Sequence, residues 1–249
     1  MAGVALLLAV GGCTAGGADA DAVPPAQPTG SAGAGEDLCA PSGIEVDAAA
    51  IRGATSFDYQ GYETLTETVE RVDVAVVGRV AGWRSGTLQN TGGRPDRPAL
   101  LVIDVLHAAT VAGDDQRTRI QVVSGRTIPA LPPGATPAPT PTSGPLVAGS
   151  LENLTRAAPV GTCVIVAGAV RRNLDDDLLT APDGSPMIGP YPQGFLLQTA
   201  GGGVTSVKVP DDEIASWTAN AAASAGNEAA TPAAPGSFQN LVDELVAAG

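Results

Sequence analysis

Of 249 residues only 3% are aromatic, one is a histidine and three are cysteines. Each scarcity removes a class of chemistry. The lone imidazole, His107, cannot supply the paired histidines of a zinc site, and any Ser–His–Asp triad would have to use it. No Gly-x-Ser-x-Gly elbow accompanies it, so His107 reads as an ordinary residue at the end of a strand. Glycine-rich phosphate loops, a dinucleotide fingerprint and a Walker lysine are also missing. Cations are few: 13 Lys and Arg stand against 26 Asp and Glu, for a formal net charge of −13. Such a surface repels nucleic acid and anionic lipid headgroups on average. The expected partner is therefore a protein or a neutral or cationic small molecule. No cofactor is implied. No apolar run approaches the ~20 residues that cross a bilayer.

What is present begins MAGVALLLAVGGCTAGG. Val4 to Val10 is an uncharged apolar stretch of the length of a signal-peptide core. It runs into Val10-Gly11-Gly12-Cys13, which resembles the lipobox of bacterial lipoproteins: an aliphatic residue, two small ones, then the cysteine. The resemblance implies cleavage before Cys13, a thioether from its thiol to diacylglycerol, and a second acyl chain, because one chain anchors only marginally. Residues 1–12 are then a signal peptide. A signal peptide usually opens with Lys or Arg, yet the first cation is Arg52; we therefore expect the true start upstream of Met1. Residues 13–35 are Ala, Gly, Pro, Thr, Ser and Asp with almost nothing to bury. They are expected to form a flexible tether spanning about 25 Å.

With Cys13 lipidated, Cys39 and Cys163 remain. Two cysteines in an exported chain usually pair; two separate buried thiols are the alternative. Neither has a second Cys or a His at metal-ligand spacing.

Hydrophobic patterning outlines one domain over residues 36–217. Glu63 to Val72 reads as a short helix, with Thr64 and Glu67 at capping-box spacing and Leu65, Val69 and Val72 on one face. Asp73 to Trp83 reads as a strand in which Gly78 and Gly82 suggest a bulge. Further strands are expected at Leu100 to His107, Arg119 to Val123 and Thr162 to Val170, the last apolar on both faces and so central. Phe195 to Thr199 and Gly203 to Val209 form a hairpin about a Gly turn. The segment 129–145 is a Pro-rich, extended loop, and 218–236 is an Ala-rich, Pro-broken linker or weak helix. Residues 237–249 form a C-terminal helix capped by Ser237, whose face of Phe238, Leu241, Val242, Leu245 and Val246 must bury against the sheet.

The succession LTETVERVDVAVVGRVAGW, LLVIDVLHAA, IQVVSG, VGTCVIVAGAV and GFLLQTAGGGVTSV is similar to a group of bacterial envelope lipoproteins, of high-GC Gram-positive type, whose role is unknown. The likeness covers Glu63 to Val209. It implies a mainly β fold: a small OB-like antiparallel barrel of five or six strands with a short leading helix, a C-terminal helix and disordered linkers. It implies no activity. The chain departs from the group's pattern in the insertion 129–145 and in His-Ala-Ala-Thr where a Lys-Gly turn is commoner.

A few residues remain as site candidates. Tyr191, at the apolar tip of the Pro/Gly-rich stretch from Asp183 to Gly194, could contact a partner, or pin that loop to the rim. Trp83 and Trp217 could stack a sugar or peptide, though core packing is the plainer reading. Asp175 and Asp177 are weak calcium candidates, since such a site needs six to eight converging oxygens; Asp211, Asp212 and Glu213 suit the first turn of a helix. These observations favour a membrane-anchored, extracytoplasmic, non-enzymatic binding or scaffolding module. A carboxylate-dependent hydrolase, needing facing acids roughly 5–9 Å apart, and a sensor or transporter-associated lipoprotein are the alternatives.

Overall fold

The structure, a computed structural model, describes residues 38–52, 61–87, 89–91, 94–111, 118–129, 150–172, 179–224 and 237–249. Residues 33–249 group into one compact unit. Helices α1 (Ala48–Ile51) and α2 (Leu65–Val69) precede strands β1 (Val74–Ser85), β2 (Gln89–Thr91), β3 (Arg94–Val111) and β4 (Arg119–Pro129). Helix α3 (Leu151–Ala157) leads into β5 (Cys163–Val170), β6 (Met187–Gln198) and β7 (Val204–Ser206), and α4 (Asp211–Ser224) and α5 (Phe238–Ala248) close the order. The fold is mainly β. The seven strands among the described residues join one sheet of order β1-β5-β6-β4-β3-β2, with β7 on β6 and a further pairing between β1 and β3. Every pairing is antiparallel except β4 with β6.

Strand β5 is central because both of its faces are apolar. Val164 and Val166 pack with Val74, Val76, Val80, Leu101, Ile103, Phe195 and Leu197 in one cluster, beneath Leu154 and Ala157 of α3. Cys163, Ile165 and Ala167 face the opposite way, onto Leu65 and Val69 of α2, Trp217 of α4 and Phe238, Leu241, Val242 and Leu245 of α5. Helix α5 thus buries the expected face, and Ser237 caps it by accepting from Asn240 N at 3.3 Å. Thr64 caps α2 in the same way, accepting from Glu67 N at 3.2 Å. The reciprocal half of the box is displaced by one residue: the Glu67 carboxylate accepts from Glu63 N, not from Thr64 N.

The ladder is irregular at both glycines read as bulge markers, and also between Ala75 and Val76 in the β1–β3 pair and between Pro98 and Leu100 in the β3–β4 pair, which the sequence did not mark. The β1–β3 register shifts at Val77/Gly78 and again at Val80/Gly82. A further shift separates Val166 from Gly168 in the β5–β6 pair. There a Cβ on Gly168 would lie 2.5 Å from Gly189 O and 2.8 Å from the Cα of Pro190, so only glycine fits. The turn between β6 and β7 carries Gly202 at φ +78, a conformation that suits glycine.

The disulfide is formed. Cys39 and Cys163 are bonded across a sequence separation of 124 residues, with Cα atoms 5.8 Å apart. It ties the leading segment to the first residue of the central strand.

Three expectations are corrected. Residues 187–194, expected in a loop, form most of the 12-residue β6; Pro190 is tolerated because it stands opposite Gly168 at the register shift, where the ladder is already interrupted. Helix α4 runs through Ser224, past Thr218 where a linker or weak helix was expected. His107 lies inside β3, which continues to Val111, and not at a strand end. Helices α1 and α3 are additions that hydrophobic periodicity missed, each only four to seven residues long. Cys13, the tether, Asp175, Asp177 and nearly all of the 129–145 loop lie outside the described residues.

Candidate functional site

The segment that enters α2 is held to β6 by a side chain acting as backbone. Gln193, 2% exposed, accepts from Tyr62 N through Oε1 at 2.7 Å and donates from Nε2 to Tyr62 O at 3.0 Å. The two bonds copy a peptide of a neighbouring strand. Trp217 Nε1 donates to the same carbonyl at 2.7 Å, and Asn220 Nδ2 to Glu63 O at 3.0 Å. Gln193 Nε2 also reaches Glu213 Oε1. Tyr62 therefore couples β6 and α4, and between α4 and residues 61–63 lies an open groove of about 690 Å³.

The groove mixes apolar and acidic walls. Tyr62 and Trp217 supply ring surface, Glu63 and Glu213 supply carboxylates, and among the described residues lining it there is no Lys, Arg or His. Asp211, Asp212 and Glu213 occupy the first turn of α4, where acids offset the helix dipole. Behind the groove the Tyr62 and Tyr191 rings lie 6.2 Å apart at a tilt of 44°. The Arg71 guanidinium stands 5.2 Å from the Tyr62 ring centroid.

A second polar cluster sits at the end of β1. Asp183 accepts from Ser185 Oγ at 2.7 Å, from Ser185 N at 3.0 Å and from Gln121 Nε2 at 2.8 Å, and pairs with Arg84 Nη2 at 2.9 Å. The Ser185 hydroxyl first, then its amide and Arg84, hold the Asp183 carboxyl well below the usual carboxylate range. With so many donors on one carboxylate, the cluster clips the turn before β6 to β1 and β4. Elsewhere Lys208 donates from Nζ to Pro190 O at 2.9 Å. Burial, with Arg171 adding repulsion, pushes its amine down to about 8.

The candidates from sequence separate. Tyr191 is half-buried in the cluster that faces the helices, against Tyr62. Trp83 packs on the other cluster and donates from Nε1 to Ala158 O at 3.1 Å. The structure does not bring these two together. Trp217, 4% exposed, is core with one edge on the groove. Among the described residues no three His, Cys, Asp or Glu side chains are grouped to hold a metal ion. Gln193 and Tyr62 escaped sequence reasoning altogether; an isolated glutamine between Pro192 and Gly194 carries no pattern that marks it. No helix among the described residues is long and apolar enough to cross a membrane. Comparison with known proteins found no match to this chain among family models, curated proteins or solved structures.

Proposed function

We propose that this chain is a lipid-anchored, extracytoplasmic binding or scaffolding module built on a small OB-like barrel. The observation that carries the reading is the Cys39–Cys163 disulfide. Such bonds persist in oxidising compartments outside the cytosol, and pairing these two leaves Cys13 as the one thiol available to lipid. The barrel is supported by the pairings β1–β3, β3–β4, β4–β6, β6–β5 and β5–β1, which return to their starting strand. A ring of pairings removes sheet edges as a closed barrel does, and the one parallel contact and α3 between β4 and β5 suit a Greek-key connection. The module reading is supported by the open groove with few, fixed polar groups on an apolar wall.

The test is Cys13→Ala. Cells fed an alkyne-bearing fatty acid should label the parent chain and not the variant, and the variant should leave the membrane fraction. A variant that stays with membranes rejects the anchor. A second reading, a carboxylate-dependent hydrolase, draws on Glu63 and Glu213 sharing one groove. Release of new reducing ends from envelope glycan, lost in Glu213→Gln, would favour it over binding alone.

A further inference from the structure

We propose that the groove between α4 and residues 61–63 binds the ammonium group of a small alkylamine. The inference rests on the binding-module reading and names that module's site and ligand class. Size fits first: about 690 Å³ is within the span of small-molecule sites, roughly 300–1,000 Å³. The lining is acidic, with the Arg71 guanidinium on the Tyr62 ring as a nearby cation. Glu63 and Glu213 are on the walls, Asp211 and Asp212 stand at the adjoining end of α4, and no cationic side chain lines the described surface. A cleft of one sign with apolar walls focuses its field and concentrates counter-ions. An anion, which a helix N-terminus ordinarily attracts, meets three carboxylates in that first turn instead.

The frame is also rigid. Tyr62 is fixed because its N–H donates to Gln193 and its carbonyl accepts from Gln193 and Trp217, so the acids flank a preset wall. Ring surface beside carboxylates suits the methylene chain and charged end of an alkylamine, since a cation gains at an aromatic face as Arg71 does on Tyr62. Ser216 adds a hydroxyl oxygen to the lining.

The full-length chain in detergent is titrated with cadaverine, N-acetyl-lysinamide, neutral 1-pentanol and anionic valerate. Amide shifts of Gly61, Tyr62, Ser216 and Asn220 give the readout. Saturable shifts with the two amines alone are expected, weakening about tenfold in Glu213→Gln and in Glu63→Gln and weakening further as salt is raised. Tighter cadaverine identifies a free diamine as the ligand, and tighter lysinamide a lysine side chain. Equal shifts with pentanol, no saturable shift with either amine, or unchanged affinity in both variants overturns the proposal. Gln at 213 keeps an oxygen for Gln193; should it still unfold the chain, Glu63→Gln at an exposed side chain decides alone. Membrane release by Cys13→Ala and the pairing of strands are read separately, so loss of the amine site leaves the anchored-module reading standing, and the reverse holds too.

Discussion

The two faces of β1 and β5 are built from the same sequence stretch yet held by different means. Val74, Val76, Val80, Val164 and Val166 pack against residues of β3, β4 and β6. Ala75, Val77, Ile165 and Ala167 pack against α2, α4 and α5. The first set is enclosed mostly by strands that are hydrogen-bonded to one another, with Ile51 of α1 and Leu154 and Ala157 of α3 over it, so its strand walls cannot leave without breaking ladders. The second is covered by helices that dock mostly through side chains, with one backbone bond from Phe238 N to Gly202 O at 2.9 Å. Beyond apolar contact, α5 is joined to α2 by Glu244 Oε1, which accepts from Thr66 N at 2.9 Å and Thr66 Oγ1 at 3.0 Å. Alternation along one strand therefore sorts residues into a cooperative core and a detachable cover, and local stability should follow that division.

The sharpest way to break this comparison is a matched pair of truncations. Phe195 and Phe238 are both fully buried, one on each face. Phe195→Ala should cost about 3–5 kcal/mol in denaturant unfolding, with faster hydrogen exchange throughout the sheet. Phe238→Ala should speed exchange in α5 and α2 while β5 amides keep their protection. Equal acceleration of β5 in both variants would show one undivided core.

Removal of the disulfide as Cys39→Ala/Cys163→Ala comes next. Because the bond closes a long loop in the unfolded chain, about 2–5 kcal/mol should be lost, seen as a lower midpoint in urea. An unchanged midpoint would mean the leading segment is held by packing alone. A smaller effect isolates the cover: Ser237→Ala removes the α5 cap and should cost about 1 kcal/mol, confined to exchange of the first turn of α5.

The last test is pH. Lys208 titrates near 8 in the folded chain, against an ordinary value of 10.5. Between those values the unfolded chain binds the extra proton, so stability should rise as pH rises from about 8 and level off near 10.5. Lys208→Met should flatten that rise in urea midpoints measured across the interval; a parent chain with no slope there contradicts the burial of the amine.

Much of the sheet could be read from the chain, and the reason is visible in particular residues. Val164 to Ala167 are apolar on both faces, and that pattern alone places β5 at the centre. Thr64 and Ser237 announce their helices because a cap is a local interaction between near neighbours. What was hidden depends on partners distant in sequence. Pro190 and Pro192 argue against a strand until Gly168, far from them in the chain, is seen opposite at a register shift. Helix α3 is too short for periodicity to show, and its Ser150 cap on Asn153 N has no long apolar run behind it. The groove was the least legible part. Glu213 was read as a first-turn acid and Trp217 as core, both in keeping with the structure, but their meeting with Tyr62 runs through Gln193, whose buried amide no local pattern reports.

The covalent link between Cys39 and Cys163 also decides how the domain would bear a load. A pull on the chain ahead of Cys39 passes through the sulfurs into Cys163, the first residue of β5, a strand whose following residues are bonded into ladders with both β1 and β6. Force delivered there shears rows of hydrogen bonds together, whereas the same pull on a reduced chain would peel α1 and then α2 away turn by turn. The domain is wired to be dragged by its stiffest strand.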